Sequence, residues 1–100
     1  MKKLSLAYMP ELGMADFPKL GVALSNYVYA NAERIAHVGS GLLEGAGPNS
    51  RSIRIKYNLG AARENNVHEV EISDASEAEE KRLLADIKRL YKGFGFMEAL

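Results

Sequence analysis

Histidines and carboxylates are the side chains of this sequence that could perform acid–base or metal chemistry. The chain has two histidines, His37 and His68, and no cysteine, which excludes disulfides, thiolate metal sites and cysteine nucleophiles. Glu69 follows His68, but strand alternation sends these two side chains to opposite faces, and the HExxH spacing of a zinc site is absent. Strand pairing and helix capping explain most of the acids between residues 64 and 80. We therefore predict no enzyme, no metal site and no cofactor.

A short aromatic motif, Lys92-Gly93-Phe94-Gly95-Phe96-Met97, resembles the RNP1 signature of RNA recognition motifs. In that family the aromatic residues of the motif stack on unpaired bases. The family carries the motif on its third strand, whereas here it follows the last predicted helix. The alternative interpretation is a helix-ending glycine followed by two phenylalanines that dock into the core. The alternative function is therefore a single-stranded nucleic-acid site that uses Lys92, Phe94 and Phe96 of this motif together with Arg54 and Lys56.

A second apolar line on the first predicted helix could contact another protein. Val22, Tyr29 and Ala36 recur every seven residues, roughly 120° from the predicted buried stripe, and Asn26 and Glu33 flank them. A second apolar line beside a core-facing stripe is typical of a partner contact or a self-association surface. The alternatives are scattered surface residues, or burial under the glycine-rich segment at 39–50.

The last predicted helix carries a line of lysines on the side opposite its apolar stripe. Lys81, Lys88 and Lys92 lie along this line, and Arg82 and Arg89 lie beside it. Such a face could meet phosphates or an acidic protein. It is also the ordinary appearance of a solvated surface helix, and we predict the ordinary case.

The sequence of residues 51–73 predicts two antiparallel strands, and two independent patterns specify the same register. Pairing residues whose numbers sum to 125 sets Ile53 opposite Ile72 and Ile55 opposite Val70, and it also sets Tyr57 opposite His68. On the other side, basic and acidic residues oppose each other: Arg54 with Glu71, and Lys56 with Glu69. Apolar matching and charge matching select the same register, and a slip of one residue would ruin both.

The remaining elements follow from the spacing of apolar residues and from the capping residues and glycines that bound each segment. Alternation predicts a strand at 3–9, and a helical stripe after Asp16 predicts one long helix to Gly39, with Ile35 and Val38 on its buried face. The segment at 39–50, rich in glycine, is predicted as a flexible connector. Capping-box signals open a last helix that ends at Gly93, and 94–100 could add a short final strand.

Together these elements predict an α+β fold in a single domain spanning 1–100, in the order strand, helix, strand, strand, helix and a short final strand. This is the order of the ferredoxin-like fold, and an irregular C-terminal segment would leave a three-stranded sheet backed by two helices. A formal net charge of zero argues against a dedicated phosphate-backbone binder.

The functional prediction is a small non-enzymatic interaction or assembly protein, either a subunit of a larger assembly or a small inhibitor that docks on a target. Its expected partner is another protein or further copies of itself as a homo-oligomer, and the alternative partner is single-stranded nucleic acid. The sequence has no signal peptide and no run of roughly 18 apolar residues, so we expect a cytoplasmic protein without a membrane partner.

Overall fold

The computed structural model describes residues 2–12, 16–57 and 66–99. These residues form an α+β fold, as predicted, with one antiparallel sheet in the strand order β2-β3-β4-β5-β1-β6. A short 3-10 turn lies at Pro10–Leu12. In chain order the helices and strands are β1 (Lys2–Tyr8), α1 (Phe17–Asn31), β2 (Arg34–Gly39), β3 (Leu42–Ala46), β4 (Ser52–Lys56), β5 (Val67–Ser73), α2 (Glu77–Lys92) and β6 (Phe96–Glu98).

The predicted pairing of β4 with β5 is confirmed in register. Ile53 pairs with Ile72, and Arg54 pairs with Glu71, so that paired numbers sum to 125 throughout the ladder. The ladder ends at Lys56, and the predicted turn lies at 58–65, outside the described residues. The predicted strand at 3–9 and the short final strand are also present, as β1 and β6.

The predicted helix from Asp16 to Gly39 is wrong in its second half. Asp16 is the N-cap as expected, but α1 ends at Asn31, and β2 follows after an extended residue, Ala32. A bulge in β2 lets Ile35 pair with Gly45 and Val38 pair with Leu43, so both side chains lie on one face of the strand. This three-residue spacing imitates a helical stripe, which explains why the periodicity was misleading.

The predicted flexible connector at 39–50 is also wrong, because it contains β3. Ser40 and Gly41 turn the chain between β2 and β3 with φ values of 53° and 75°. Gly45 lies beneath α1, where an added Cβ would be 2.5 Å from Cγ1 of Val28. These glycines therefore serve a tight turn and a close helix–strand contact. With two extra strands after α1, neither the predicted element order nor a three-stranded sheet is correct.

Helix α2 agrees with its predicted pattern. The Ser76 side chain accepts a hydrogen bond from Glu79 N at 3.2 Å, and Leu83, Ile87 and Tyr91 are buried. The C-terminal turn differs in detail. Gly93 keeps a right-handed φ of −63°, and the left-handed residue is Gly95, with φ of 86°.

One apolar core lies between the sheet and the two helices, because alternate residues of each strand face the helices. Helix α1 packs on β3 and β2, whereas α2 packs on β6, β1 and β5. The other side of the sheet, called the open face below, has no helix over it among the described residues. Neither helix in this part of the chain is long and apolar enough to cross a membrane.

Candidate functional site

The flank of α1 that faces away from α2 exposes two large apolar side chains. Val22 is 61% exposed and Tyr29 is 62% exposed. The opposite flank is recognised by its contacts with α2, where Tyr27 Oη donates to Asp86 Oδ2 at 2.9 Å and Asn31 accepts from Arg82. Helix α1 packs on β3 and β2, so this exposed flank belongs to the end of the sheet that β2 closes.

Strand β2 forms that edge and adds a third exposed apolar side chain. Val38 is 58% exposed, and its pairing with the buried Leu43 places it on the helix-covered side of the sheet. The outer edge of β2 has no strand partner in the described part of the chain.

A groove of about 380 Å³ runs between α1 and the neighbouring strands. The following residues line it: Pro18, Gly21, Val22, Leu24, Ser25, Asn26, Leu43 and Tyr57.

We call the exposed flank of α1 at Val22, Asn26 and Tyr29, together with Val38 and the free edge of β2, the α1–β2 surface. The predicted set of partner-contacting residues coincides with this surface only at its members in α1, which are Val22, Asn26 and Tyr29. Glu33 lies beyond the end of α1, and Ala36 lies at the bulge of β2, so the seven-residue repeat does not continue along one helix. Val38 was missed because the pattern assigned it to the buried face of an overlong helix.

The residues of the predicted nucleic-acid site do not share one surface. Phe96 is 0% exposed and belongs to an aromatic cluster, with its ring centroid 5.5 Å from that of Tyr8 and 5.2 Å from that of Tyr91. Phe94 is half-buried and packs against the same core. Phe96 therefore has no free ring face for a base, and this burial corrects its predicted stacking role.

Arg54 and Lys56 lie on the open face, on the other side of the sheet from Phe96. Arg54 Nε is 3.5 Å from Glu44 Oε2, and Arg54 also pairs across the strands with Glu71. Lys56 pairs across the strands with Glu69 in the same way. The basic residues of the open face thus alternate with acids, which leaves little net positive potential for a phosphate backbone.

A buried arginine organises the polar contacts between the two helices. Arg51 is 5% exposed; its Nη1 donates to Glu79, and its Nη2 donates to the carbonyl of Asn31 and to that of Gly47 at 3.2 Å. Helix α1 has no basic residue in its own last turn, so Arg51 supplies positive charge to the C-terminal end of that helix.

Tyr27 and Asp86 extend these contacts along the helices. Burial and the hydrogen bond from its hydroxyl to Asp86 raise the pKa of Tyr27. Asp86 also contacts Arg82 at 3.5 Å and Arg89 at 3.7 Å. Asp86 is thus engaged by a phenol and two guanidinium groups, and the arrangement holds the helices together.

The two histidines lie in different environments. His68 is fully buried, and its Nδ1 is 2.9 Å from the Tyr91 hydroxyl. This contact with α2 differs from the predicted pairing with Tyr57. His37 is exposed, and its Nε2 is 3.0 Å from the carbonyl of Gly39. Over residues 2–12, 16–57 and 66–99, no group of three or more histidine, aspartate and glutamate side chains could hold a metal ion.

No family model, curated protein or solved structure matches this chain.

Proposed function

We propose that this protein is a non-enzymatic assembly protein that pairs with a second copy of itself through the α1–β2 surface. One observation carries the proposal: β2 has a free edge and packs beside α1, and these two elements carry the three most exposed large apolar side chains of the chain's described part, Val22, Tyr29 and Val38. A free strand edge offers backbone hydrogen bonds, and adjacent apolar side chains offer area to bury. The two together are what a protein contact needs.

The β2 edge is self-complementary under two-fold symmetry. An antiparallel pairing centred between Ala36 and His37 would set Ile35 of one copy opposite Val38 of the other. Both side chains lie on the helix-covered side, so this register would bury an apolar pair twice. The bulge at Ala36 twists the edge locally, which weakens strand pairing on its own and makes the helix contribution necessary.

Helix α1 would supply that contribution. Joining two β2 strands brings the Val22 and Tyr29 flanks of the two copies toward each other above the extended sheet. Tyrosine is enriched in protein interfaces because it buries a large apolar ring while its hydroxyl stays hydrated or finds a partner. The groove beside Val22 gives the partner's side chains a cavity of about 380 Å³ to enter.

Contact is favoured over catalysis by the state of the titratable side chains. Glu79, Asp86 and Glu44 each contact an arginine, and the buried His68 contacts Tyr91. The structure therefore gives these groups roles in holding the fold together. These contacts connect elements of the fold, whereas Val22, Tyr29 and Val38 keep more than half of their surface exposed.

The test is size-exclusion chromatography with light scattering on the pure protein and on matched variants. We expect a dimer that becomes monomeric in Val22→Asp and in Val38→Lys, since each variant places a charge in the interface. Val67→Asp is the matched control, because Val67 is also exposed, at 47%, but pairs with Ala7 on the open face. The control should remain dimeric at the wild-type melting temperature. The monomeric variants should still unfold in one cooperative transition, lowered only by loss of the dimer contact.

A wild-type protein that stays monomeric at high concentration would overturn this proposal. A dimer that persists in the Val22→Asp/Val38→Lys double variant would also overturn it, because the contact would then lie elsewhere. A labelled single-stranded oligonucleotide is included at low and moderate salt. Binding by a monomer, lost as salt rises, would favour the nucleic-acid function instead.

A further inference from the structure

We propose that a second site, at the opposite end of the sheet, binds an acidic peptide segment in extended conformation. A groove of about 380 Å³ runs between α2 and β1, and we call it the lysine groove. It is lined by Lys2, Lys3, Leu4, Lys81, Leu84, Ala85, Lys88 and Glu98. The site is independent of the α1–β2 surface, which lies on β2 at the far edge.

The charges of the lysine groove are largely uncompensated. Lys88 Nζ is 3.1 Å from Glu98 Oε2. In the described residues, Lys2, Lys3 and Lys81 form no ion pair. The arginines near the centre of the molecule are arranged differently, since Arg51, Arg54, Arg82 and Arg89 each contact a carboxylate. Lys3 pairs with Glu71 on the open face, so it lines the groove through its backbone. The side chains of Lys2, Lys81 and Lys88 remain at the groove with one acid, and in a chain of zero formal net charge they attract anions locally.

The floor of the groove is apolar and continues past β6. Leu4, Leu84 and Ala85 lie between the lysines, and a neighbouring depression of about 190 Å³ adds Leu6, Phe96, Met97 and the further lysine Lys92. From Lys81 to Lys92 the helix rises about 16 Å, the length of roughly five residues of extended chain. An apolar floor between cationic rims suits a segment in which acidic and apolar residues alternate.

The edge of β1 favours a peptide over a nucleic acid. Strand β6 pairs with β1 only from Leu6 to Tyr8, and Ala99 N then donates to Ser5 O at 2.8 Å. By alternation, the next N–H and C=O groups that point outward on this edge belong to Lys3. An extended peptide can pair with these groups and continue the line of β6 along β1. A phosphate backbone provides acceptors alone and would leave the Lys3 carbonyl unpaired.

The proposal is tested by fluorescence anisotropy with a labelled seven-residue peptide of alternating glutamate and leucine. We expect saturable binding that weakens as salt rises. The same peptide with glutamine in place of glutamate should bind at least about tenfold more weakly. Lys81→Glu/Lys88→Glu should lose at least about tenfold in affinity, whereas Lys19→Glu, an exposed lysine on α1, should bind as the wild type does.

Replacing Lys88 also removes its ion pair with Glu98, which belongs to the fold. A second double variant therefore leaves Lys88 unchanged. Lys81→Gln/Lys92→Gln removes two exposed lysines that form no ion pair within 2–12, 16–57 and 66–99, and it should weaken peptide binding while leaving the melting temperature unchanged. Absence of saturable binding to the wild type would overturn the proposal. Equal binding of a peptide with glycine in place of leucine would overturn the role of the apolar floor. Tighter binding of a single-stranded oligonucleotide of equal charge would identify nucleic acid as the ligand instead.

Discussion

Helices α1 and α2 cover the same face of one sheet, yet they turn different side chains toward solvent. Helix α1 carries a single charged residue, Lys19, and exposes Val22 and Tyr29. Helix α2 carries nine charged residues, and none of its large apolar side chains is exposed. The α1 side therefore has apolar area left over once the core is filled, whereas the α2 side has positive charge left over once ion pairs are formed.

This difference is the basis for proposing partners of different chemistry at the two ends of the sheet. Apolar area beside a free strand edge suits a second copy of the chain, and lysines around a groove suit an acidic segment. The two proposals can fail separately. Val22→Asp should abolish dimerisation without affecting peptide affinity, and Lys81→Gln/Lys92→Gln should have the reverse effect. One variant that abolished both would show that the two sites are coupled.

The largest expected effects lie on the buried sides, where the helices should behave alike. Leu24→Ala in α1 and Ile87→Ala in α2 each truncate a side chain that is at most 1% exposed. Each should lower the free energy of unfolding by about 2–5 kcal/mol, measured by urea denaturation. Tyr29→Ala, on the exposed flank, should change the stability of the monomer by less than about 0.5 kcal/mol. Measured in the monomeric Val22→Asp background, a large loss on adding Tyr29→Ala would contradict the exposure of that flank.

Replacing two glycines by alanine, one packed under α1 and one at the end of α2, should change the stability in opposite directions or by very different amounts. At Gly45, under α1, an added Cβ would also lie 2.8 Å from Cβ of Ala32, so Gly45→Ala should cost about 1–3 kcal/mol in urea denaturation. At Gly93, after α2, φ is −63° and the nearest atom to an added Cβ is Leu90 O at 3.4 Å. Gly93→Ala should be neutral or stabilise by up to about 1 kcal/mol. Equal effects at the two positions would contradict the close packing of α1 on β3.

The hairpin of β4 and β5 could be predicted from sequence because two independent patterns, apolar and charged, specified one register. The end of α1 could not be predicted, since the bulge in β2 reproduces helical spacing between Ile35 and Val38. Strand β3 was missed for another reason. Its glycine at Gly45 is required by contact with a distant helix, and such a tertiary requirement leaves no local signal.

The candidate sites were partly predictable for the same reasons. Val22 and Tyr29 were found because they lie on a regular helix. Val38 belongs to the same surface only through the fold of β2 beside α1. The lysines of α2 were visible as a line, but the sequence could not show that Lys2 and Leu4 of β1 complete the groove.

Stability at alkaline pH should test the burial of Tyr91 against the sheet. Burial raises the pKa of Tyr91, so the folded chain holds the phenol proton more tightly than the unfolded chain does. This stabilisation is complete below the unfolded pKa of about 10 and is lost as the pH rises above it, at about 1.4 kcal/mol per pH unit. Unfolding free energy measured from pH 8 to 11 should be flat and then fall. Tyr91→Phe should reduce the slope.

The smallest expected effect concerns the open face, which neither helix covers. Arg54 contacts Glu44 at 3.5 Å and pairs across the strands with Glu71, so Arg54→Glu would place three acids in a row. Because these side chains are partly exposed, the loss in urea denaturation should be only about 0.2–1 kcal/mol. Adding Glu44→Arg should restore more of that loss than adding Glu71→Arg does, since the ion pair is formed with Glu44. Equal rescue by both would mean that the open face responds to net charge alone, and it would leave the apolar flank of α1 and the lysine groove as the surfaces with specific geometry.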